Sequence, residues 1–173
     1  GHYALAQDPA FNPASILNQG DIHAGDGGIV ALIGSAISNE GTITAEGGSV
    51  VLGAGSTAMI ALDGVGLISA EVTGKIEAPV YGSNGNKIND ALSNSGTIHA
   101  IGGKVILTAQ AAEEIFDNVI NHSGLINATS ASVGQNGEII LSGGDEGVVR
   151  VSGTLDASGK DAGETGGTIH VLG

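Results

Sequence analysis

Apolar and polar positions alternate with period two along most of the chain, in short bursts punctuated by glycine. The phrase Gly-x-(Ile/Leu)-x-Ala returns six times, as GDIHA from Gly20, GTITA from Gly41, GLISA from Gly66, GTIHA from Gly96, GLINA from Gly124 and GTLDA from Gly153. Successive glycines lie 21, 25, 30, 28 and 29 residues apart. Spacings of this size mark stacked repeats, each too small to bury its own apolar face. A second phrase follows within the period, as GGIVAL from Gly27, GGSVVL from Gly47, GGKVIL from Gly102, NGEIIL from Asn136 and GGTIHV from Gly166. Its apolar pairs at spacing two, such as Val50 with Leu52 and Val105 with Leu107, direct one strand face inward. Gly74-Lys75-Ile76-Glu77-Ala78 reads as a worn third-round copy. An apolar residue also stands four positions before each repeat glycine: Ile16, Ile37, Leu62, Leu92, Ile120 and Val149.

Three short strands per round predict an all-β fold, a parallel β-solenoid of about six coils with strands stacked in register. The column Ile22, Ile43, Ile68, Ile98, Ile126 and Leu155 fills its interior. At roughly 1.5 to 3 kcal/mol per fully buried Ile or Leu, that column contributes on the order of 10 kcal/mol before entropy is counted. The alanines two residues on suit a bend in the wall, and the glycines suit corners where φ > 0 is often required. Asn18, Asn39 and Asn94, each two residues before a repeat glycine, predict a short amide stack at one corner.

Residues 1–15 read as an entry segment, and 16–173 as one domain with two interruptions. Residues 79–90, PVYGSNGNKIND, have the composition of a loop. Residues 109–118, AQAAEEIFDN, have that of two or three helical turns. Both are expected to protrude, which makes Tyr81, Asn84, Asn86, Lys87, Glu113, Glu114 and Phe116 the candidate contact residues.

Composition narrows the functions. Leu, Ile, Val and Phe make up 46 of 173 residues, with Gly 31 and Pro 3, which suits a folded chain rather than a disordered one. The four aromatic residues are too few for an ordinary globular core, but a stack of aliphatic side chains does not need them. A net charge of -13 argues against nucleic acid and anionic membrane surfaces, and fits solubility of a long sheet protein. No apolar run is long enough to span a bilayer. Cysteine is absent, which excludes thiolate chemistry.

Sites of chemistry are sparse. His23 and His99 share an outward repeat position, but three rounds at ~4.8 Å separate them by about 14 Å, too far to share an ion. Asp26, Glu46, Asp145, Glu146 and Asp161 lie near turns without a calcium-loop pattern, and read as solvated corners. Polysaccharide cleavage needs clustered carboxylates, and no pair of acids aligns across adjacent rounds. Thr42-Ile43-Thr44 stands alone, so an ice-binding array is excluded. No catalytic, metal or cofactor residue is assigned. Asn121-His122-Ser123 and Asn127-Ala128-Thr129 fit the glycosylation sequon.

The order FNPASILNQGDI, NEGTITAEGGSVVLGAG, GLISAEV, NSGTIHAIGGKVILTAQAA, NHSGLINATS, NGEIILSGGDEGVVRVSGTLDASG and GGTIHVLG resembles the filamentous-haemagglutinin-like exoproteins of two-partner secretion. That resemblance implies a right-handed parallel β-helix, secreted or held on the bacterial surface and exported through an outer-membrane barrel partner. It implies a non-catalytic structural or adhesive segment that mediates surface attachment or biofilm-matrix cohesion, with a carbohydrate or a host or bacterial surface as ligand. Relatives are similar in carrying sugars on sequon asparagines. Asn12-Pro13 resembles the Asn-Pro motifs of the secretion domain, without the residues expected before it. Recognition by the secretion barrel is therefore the alternative expectation, and a polysaccharide-cleaving enzyme is a third. Further coils and end-to-end self-association are also expected.

Overall fold

Glycine-bounded runs of β-branched residues form strands of three to eight residues. The computed structural model describes residues 1–173, except for the side chains of Leu67 and Ile68. The first nine strands are β1 (His2–Ala6), β2 (Ser15–Asn18), β3 (Asp21–His23), β4 (Ile29–Gly34), β5 (Ala36–Asn39), β6 (Thr42–Thr44), β7 (Ser49–Ala54), β8 (Thr57–Leu62) and β9 (Leu67–Gly74). The rest are β10 (Asp90–Asn94), β11 (Thr97–His99), β12 (Lys104–Ala109), β13 (Asn118–His122), β14 (Leu125–Asn127), β15 (Glu138–Ser142), β16 (Val149–Val151), β17 (Thr154–Asp156) and β18 (Thr168–Leu172). Among the described residues there is no helix.

Three parallel sheets of five strands carry the core. Sheet I runs β2-β5-β10-β13-β16, sheet II β3-β6-β11-β14-β17, and sheet III β4-β7-β12-β15-β18. The chain visits I, II and III in the same order five times, so like positions stack. Sheet II aligns Ile22, Ile43, Ile98, Ile126 and Leu155. The middle three are fully buried, and Ile22 and Leu155 at the ends are partly buried. Sheet I aligns Ile16, Ile37, Leu92, Ile120 and Val149, and sheet III aligns Leu32, Leu52, Leu107, Leu141 and Val171.

The Gly66 phrase does not join this stack. Ile43 pairs directly with Ile98, which leaves no place between them for a residue of the third repeat. The side chain of Ile68, expected in the column, lies outside the described residues. The six expected rounds are therefore five. β8 and β9 instead form an antiparallel hairpin, and β1 adds to it in the order β1-β8-β9. Leu62, expected in sheet I, belongs to β8. The hairpin lies on the outer face of sheet III and buries the outward-pointing Val51 and Ile106. Its own Val72 is fully buried, and its carbonyl accepts from Gln110 Nε2 at 2.9 Å. Apolar residues on both faces of β7 and β12 make this second layer favourable.

Of the repeat glycines, Gly41, Gly96, Gly124 and Gly153 serve close approach rather than positive φ. A Cβ on Gly96 would overlap the carbonyl oxygen of Gly41 in the round beneath, and one on Gly124 would overlap that of Gly96. Positive φ falls instead on the next corner, at Gly27, Gly47 and Gly102, with values of 72°, 62° and 69°. Gly66, outside the stack, has a φ of 154° and no neighbour within 4 Å of an added Cβ.

At the corner between sheets I and II, Asn18 Nδ2 donates to Asn39 Oδ1 at 2.8 Å, and Asn39 Nδ2 to Asn94 Oδ1 at 2.7 Å. The expected amide stack is thus present, and His122 extends it.

Residues 110–112 extend the strand pairing and 113–117 form a turn, in place of the expected helical turns. Ala111 bridges Ile76 in parallel, and the 110–112 backbone bonds Ala54 and Ile76 at 2.8 to 3.0 Å. β7 pairs directly with β12, so the 74–78 phrase is not a worn copy stacked between them; its Ile76, buried in the core, is the parallel partner of Ala111. Backbone partners and core contacts from Ile115 and Phe116 outweigh helix propensity here.

Candidate functional site

Residues 79–90 fold back on themselves rather than protrude freely. Val80 is fully buried and Ile88 packs on the core, and Ile88 N donates to Val80 O at 2.8 Å. Gly85, at φ 78°, closes the turn between them by donating to Gly82 O at 3.0 Å. Anchored in this way, the loop overhangs the outer face of sheet I and encloses a cleft of about 410 Å³.

The floor is the row one residue beyond each inward apolar position of sheet I. Register places Leu17, Ser38, Ser93, Asn121 and Arg150 in that row, and the first three line the cleft. The Ser38 and Ser93 hydroxyl oxygens are 3.5 Å apart. Loop residues Asn84, Asn86 and Lys87 form the opposite wall. Asn84 Oδ1 accepts from Asn86 N at 3.0 Å, which holds the turn.

Charge in the cleft comes from Glu40, Asp90 and Lys87. Asp90 is fixed from both sides: Oδ1 accepts from Asn118 Nδ2 and Oδ2 from Asn121 Nδ2, each at 2.8 Å. Glu40 Oε2 accepts from Gln19 Nε2 at 2.9 Å. Among the described residues, Lys75, Lys104 and Lys160 pair with Glu146, Glu138 and Asp156, whereas Lys87 and Arg150 are in no ion pair. Glu146 beside Lys75 raises that ammonium above its ordinary value, through the hydrogen bond first and the charge second.

The expected contact residues divide. Asn84, Asn86 and Lys87 meet at the cleft, and Tyr81 is exposed beside it, bridged to Lys87 in an antiparallel pair. Glu113, Glu114 and Phe116 do not line it. Phe116 is partly buried against the core, Glu113 adds to the negative field at Lys75, and Glu114 holds a left-handed φ of 64°. Sequence reading missed Ser38, Glu40, Asp90 and Ser93. A legible signal existed for the two serines, which directly follow the inward Ile37 and Leu92.

His23 and His99 stand two rounds apart, with Thr44 between them, rather than three. About 10 Å still separates them. Among the described residues no group of three His, Cys, Asp or Glu side chains could hold a metal ion. The two sequon asparagines differ: Asn121 Nδ2 is held by Asp90, whereas Asn127 uses Oδ1 to accept from Thr129 N at 3.2 Å.

No family model matches the chain, and no curated protein matches it.

Proposed function

We propose that the chain is a non-catalytic structural and adhesive segment of a large secreted exoprotein of the filamentous-haemagglutinin-like, two-partner-secretion kind. Its fold is a single right-handed parallel β-helix of five rounds with a hairpin laid on one side. The observation that carries this reading is the unbroken register of three parallel sheets over five rounds. An array of that kind supplies length and stiffness and repeats its surface rows, so attachment grows by many weak contacts. Right-handedness accords with the rule that about 98% of parallel crossovers within one sheet are right-handed.

Such a segment acts by holding surfaces away from the cell rather than by turning over a substrate. Its fixed carboxylate, Asp90, is held by two amides in a role that orients a side chain and needs no proton transfer. Retention of the purified segment on exopolysaccharides and cell surfaces, with hydrolysis products monitored in the same wells, tests the reading. Saturable retention without products is the expected result; product release would replace it with carbohydrate cleavage.

A second reading, recognition by an outer-membrane secretion barrel, is favoured by one observation. β1 is an edge strand of the side sheet and exposed along its length, with Tyr3 and Leu5 on it. Exposed edges of this kind accept a strand from a partner. Pull-down by the periplasmic domains of such a barrel, lost on deleting residues 1–6, is the result that supports this reading.

A further inference from the structure

The cleft over sheet I ties up both oxygens of its fixed carboxylate, Asp90, and leaves its loop and floor donors free. Both oxygens of Asp90 and one of Glu40 take amide N–H groups, and Asn84 Oδ1 takes a backbone N–H. Among the described residues nothing accepts from the Lys87 ammonium or from the side-chain amides of Asn84 and Asn86. The Ser38 and Ser93 hydroxyls oppose each other only at 3.5 Å, too long to occupy either fully.

We propose that this cleft binds an uncharged, oxygen-rich oligosaccharide, whose hydroxyl and ring oxygens accept from Lys87, Asn84, Asn86, Ser38 and Ser93. The proposal rests on the adhesive reading above and assigns it a site. A volume of about 410 Å³ falls in the range of small-ligand sites, roughly 300 to 1,000 Å³. Leu17 and Ile88 add apolar surface against which the C–H face of a sugar ring can pack.

Charge and backbone geometry select the ligand. Glu40 and Asp90 outnumber Lys87 in the cleft, and they belong to a chain of net charge -13. An acidic glycan is repelled by that field. An extended peptide brings one N–H for every C=O and pairs along a strand edge, whereas the floor here is the face of sheet I.

The test is titration of the purified chain with short neutral oligosaccharides of glucose, mannose and N-acetylglucosamine, and with oligogalacturonate as the acidic counterpart. Two variants accompany it, Ser93→Leu, which fills the floor, and Lys87→Ala, which removes a loop donor. Thermal melting of each variant checks the fold, and Lys87→Ala keeps the test valid if Ser93→Leu melts early. Saturable binding of at least one neutral probe, weakened about tenfold or more by either variant that melts normally, is expected. Failure of every neutral probe, tighter binding of oligogalacturonate, or unchanged binding by the folded variants overturns the proposal. Retention on whole cells is measured alongside. Retention without neutral-probe binding removes the cleft assignment and leaves the adhesive reading intact, whereas loss of both removes both.

Discussion

Asn94 donates from Nδ2 to Nδ1 of His122 across 3.1 Å, in a corner where both side chains are fully buried. Direction follows from the far side of the ring. His122 Nε2 lies 3.0 Å from the Thr154 carbonyl oxygen, which can only accept, so Nε2 carries the proton and Nδ1 receives. The amide column therefore runs one way, from Asn18 through Asn39 and Asn94 to an imidazole that ends it on a backbone carbonyl. Each member donates to the next and leaves no buried polar atom unpaired among the described residues.

Asn94→Ala is expected to lower stability by about 2 kcal/mol, because it strands the Asn39 amide and the His122 Nδ1 in a dry corner. Urea denaturation measures it, as a lower midpoint at an unchanged slope. A cost below about 0.5 kcal/mol would show that the ladder is decorative.

Ile98→Asp is expected to cost more than about 4 kcal/mol, since it places an unpaired carboxylate between Ile43 and Ile126. Thr97→Asp, one position outward, should change stability by less than about 1 kcal/mol. Equal melting temperatures for the pair would refute the register.

Gly96→Ala and Gly20→Ala alter the same letter of the same phrase and should differ sharply. An alanine Cβ at 96 meets the Gly41 carbonyl, whereas at 20 nothing lies within 4 Å. The first variant should lose roughly 3 kcal/mol, as overpacking against backbone does, and the second should melt close to the parent. Thermal melts of both decide whether close stacking explains the repeat glycine.

Asp156 is held down to about 2 from an ordinary 3.8, first by the Ser158 hydroxyl, then by the Ser158 N–H and the Lys160 ammonium. A depressed carboxylate stabilises the fold above the unfolded value and loses that contribution as pH falls through the folded one. The stability difference between the parent and Asp156→Asn should therefore be full at pH 6 and shrink between about pH 4 and pH 2. A difference that stays constant across that window would detach it from this carboxylate. Only a modest amplitude is expected, because the group is partly solvated.

Val72→Asp should release the hairpin without dissolving the three parallel sheets. Val72 is fully buried between hairpin and sheet III, whereas Glu71, next to it, is exposed. Hydrogen exchange should rise in β8 and β9 while β11 and β14 stay protected. Simultaneous loss of protection everywhere would mean that the parallel sheets and the hairpin unfold as one unit.

Much of this architecture was legible from residues. Repeating Gly-x-Ile-x-Ala phrases identify strands, their inward faces and the amide column, because alternation and spacing are local properties. The cleft was half legible. Asn84, Asn86 and Lys87 stand out in a loop-like segment, but Ser38 and Ser93 belong to another part of the chain and meet that loop only after folding. Nothing local in 109–118 announces that Ala111 will pair with Ile76, so its composition reads as helix.

The sharpest division lies at Gly66. By itself the sequence determined that residues 66–70 form an alternating strand, and that Ile43 and Ile98 belong to one column of the core. Tertiary structure alone decided that the strand turns back on β8, outside the stack, and that a loop closes over the serines of sheet I. The reason is physical. Period-two alternation is common to parallel and antiparallel strands, so a phrase specifies which side chains share a face but not which backbone it pairs with. Pairing is settled by competition for neighbours, and the apolar outer faces of Val51 and Ile106 offer the hairpin a surface to bury.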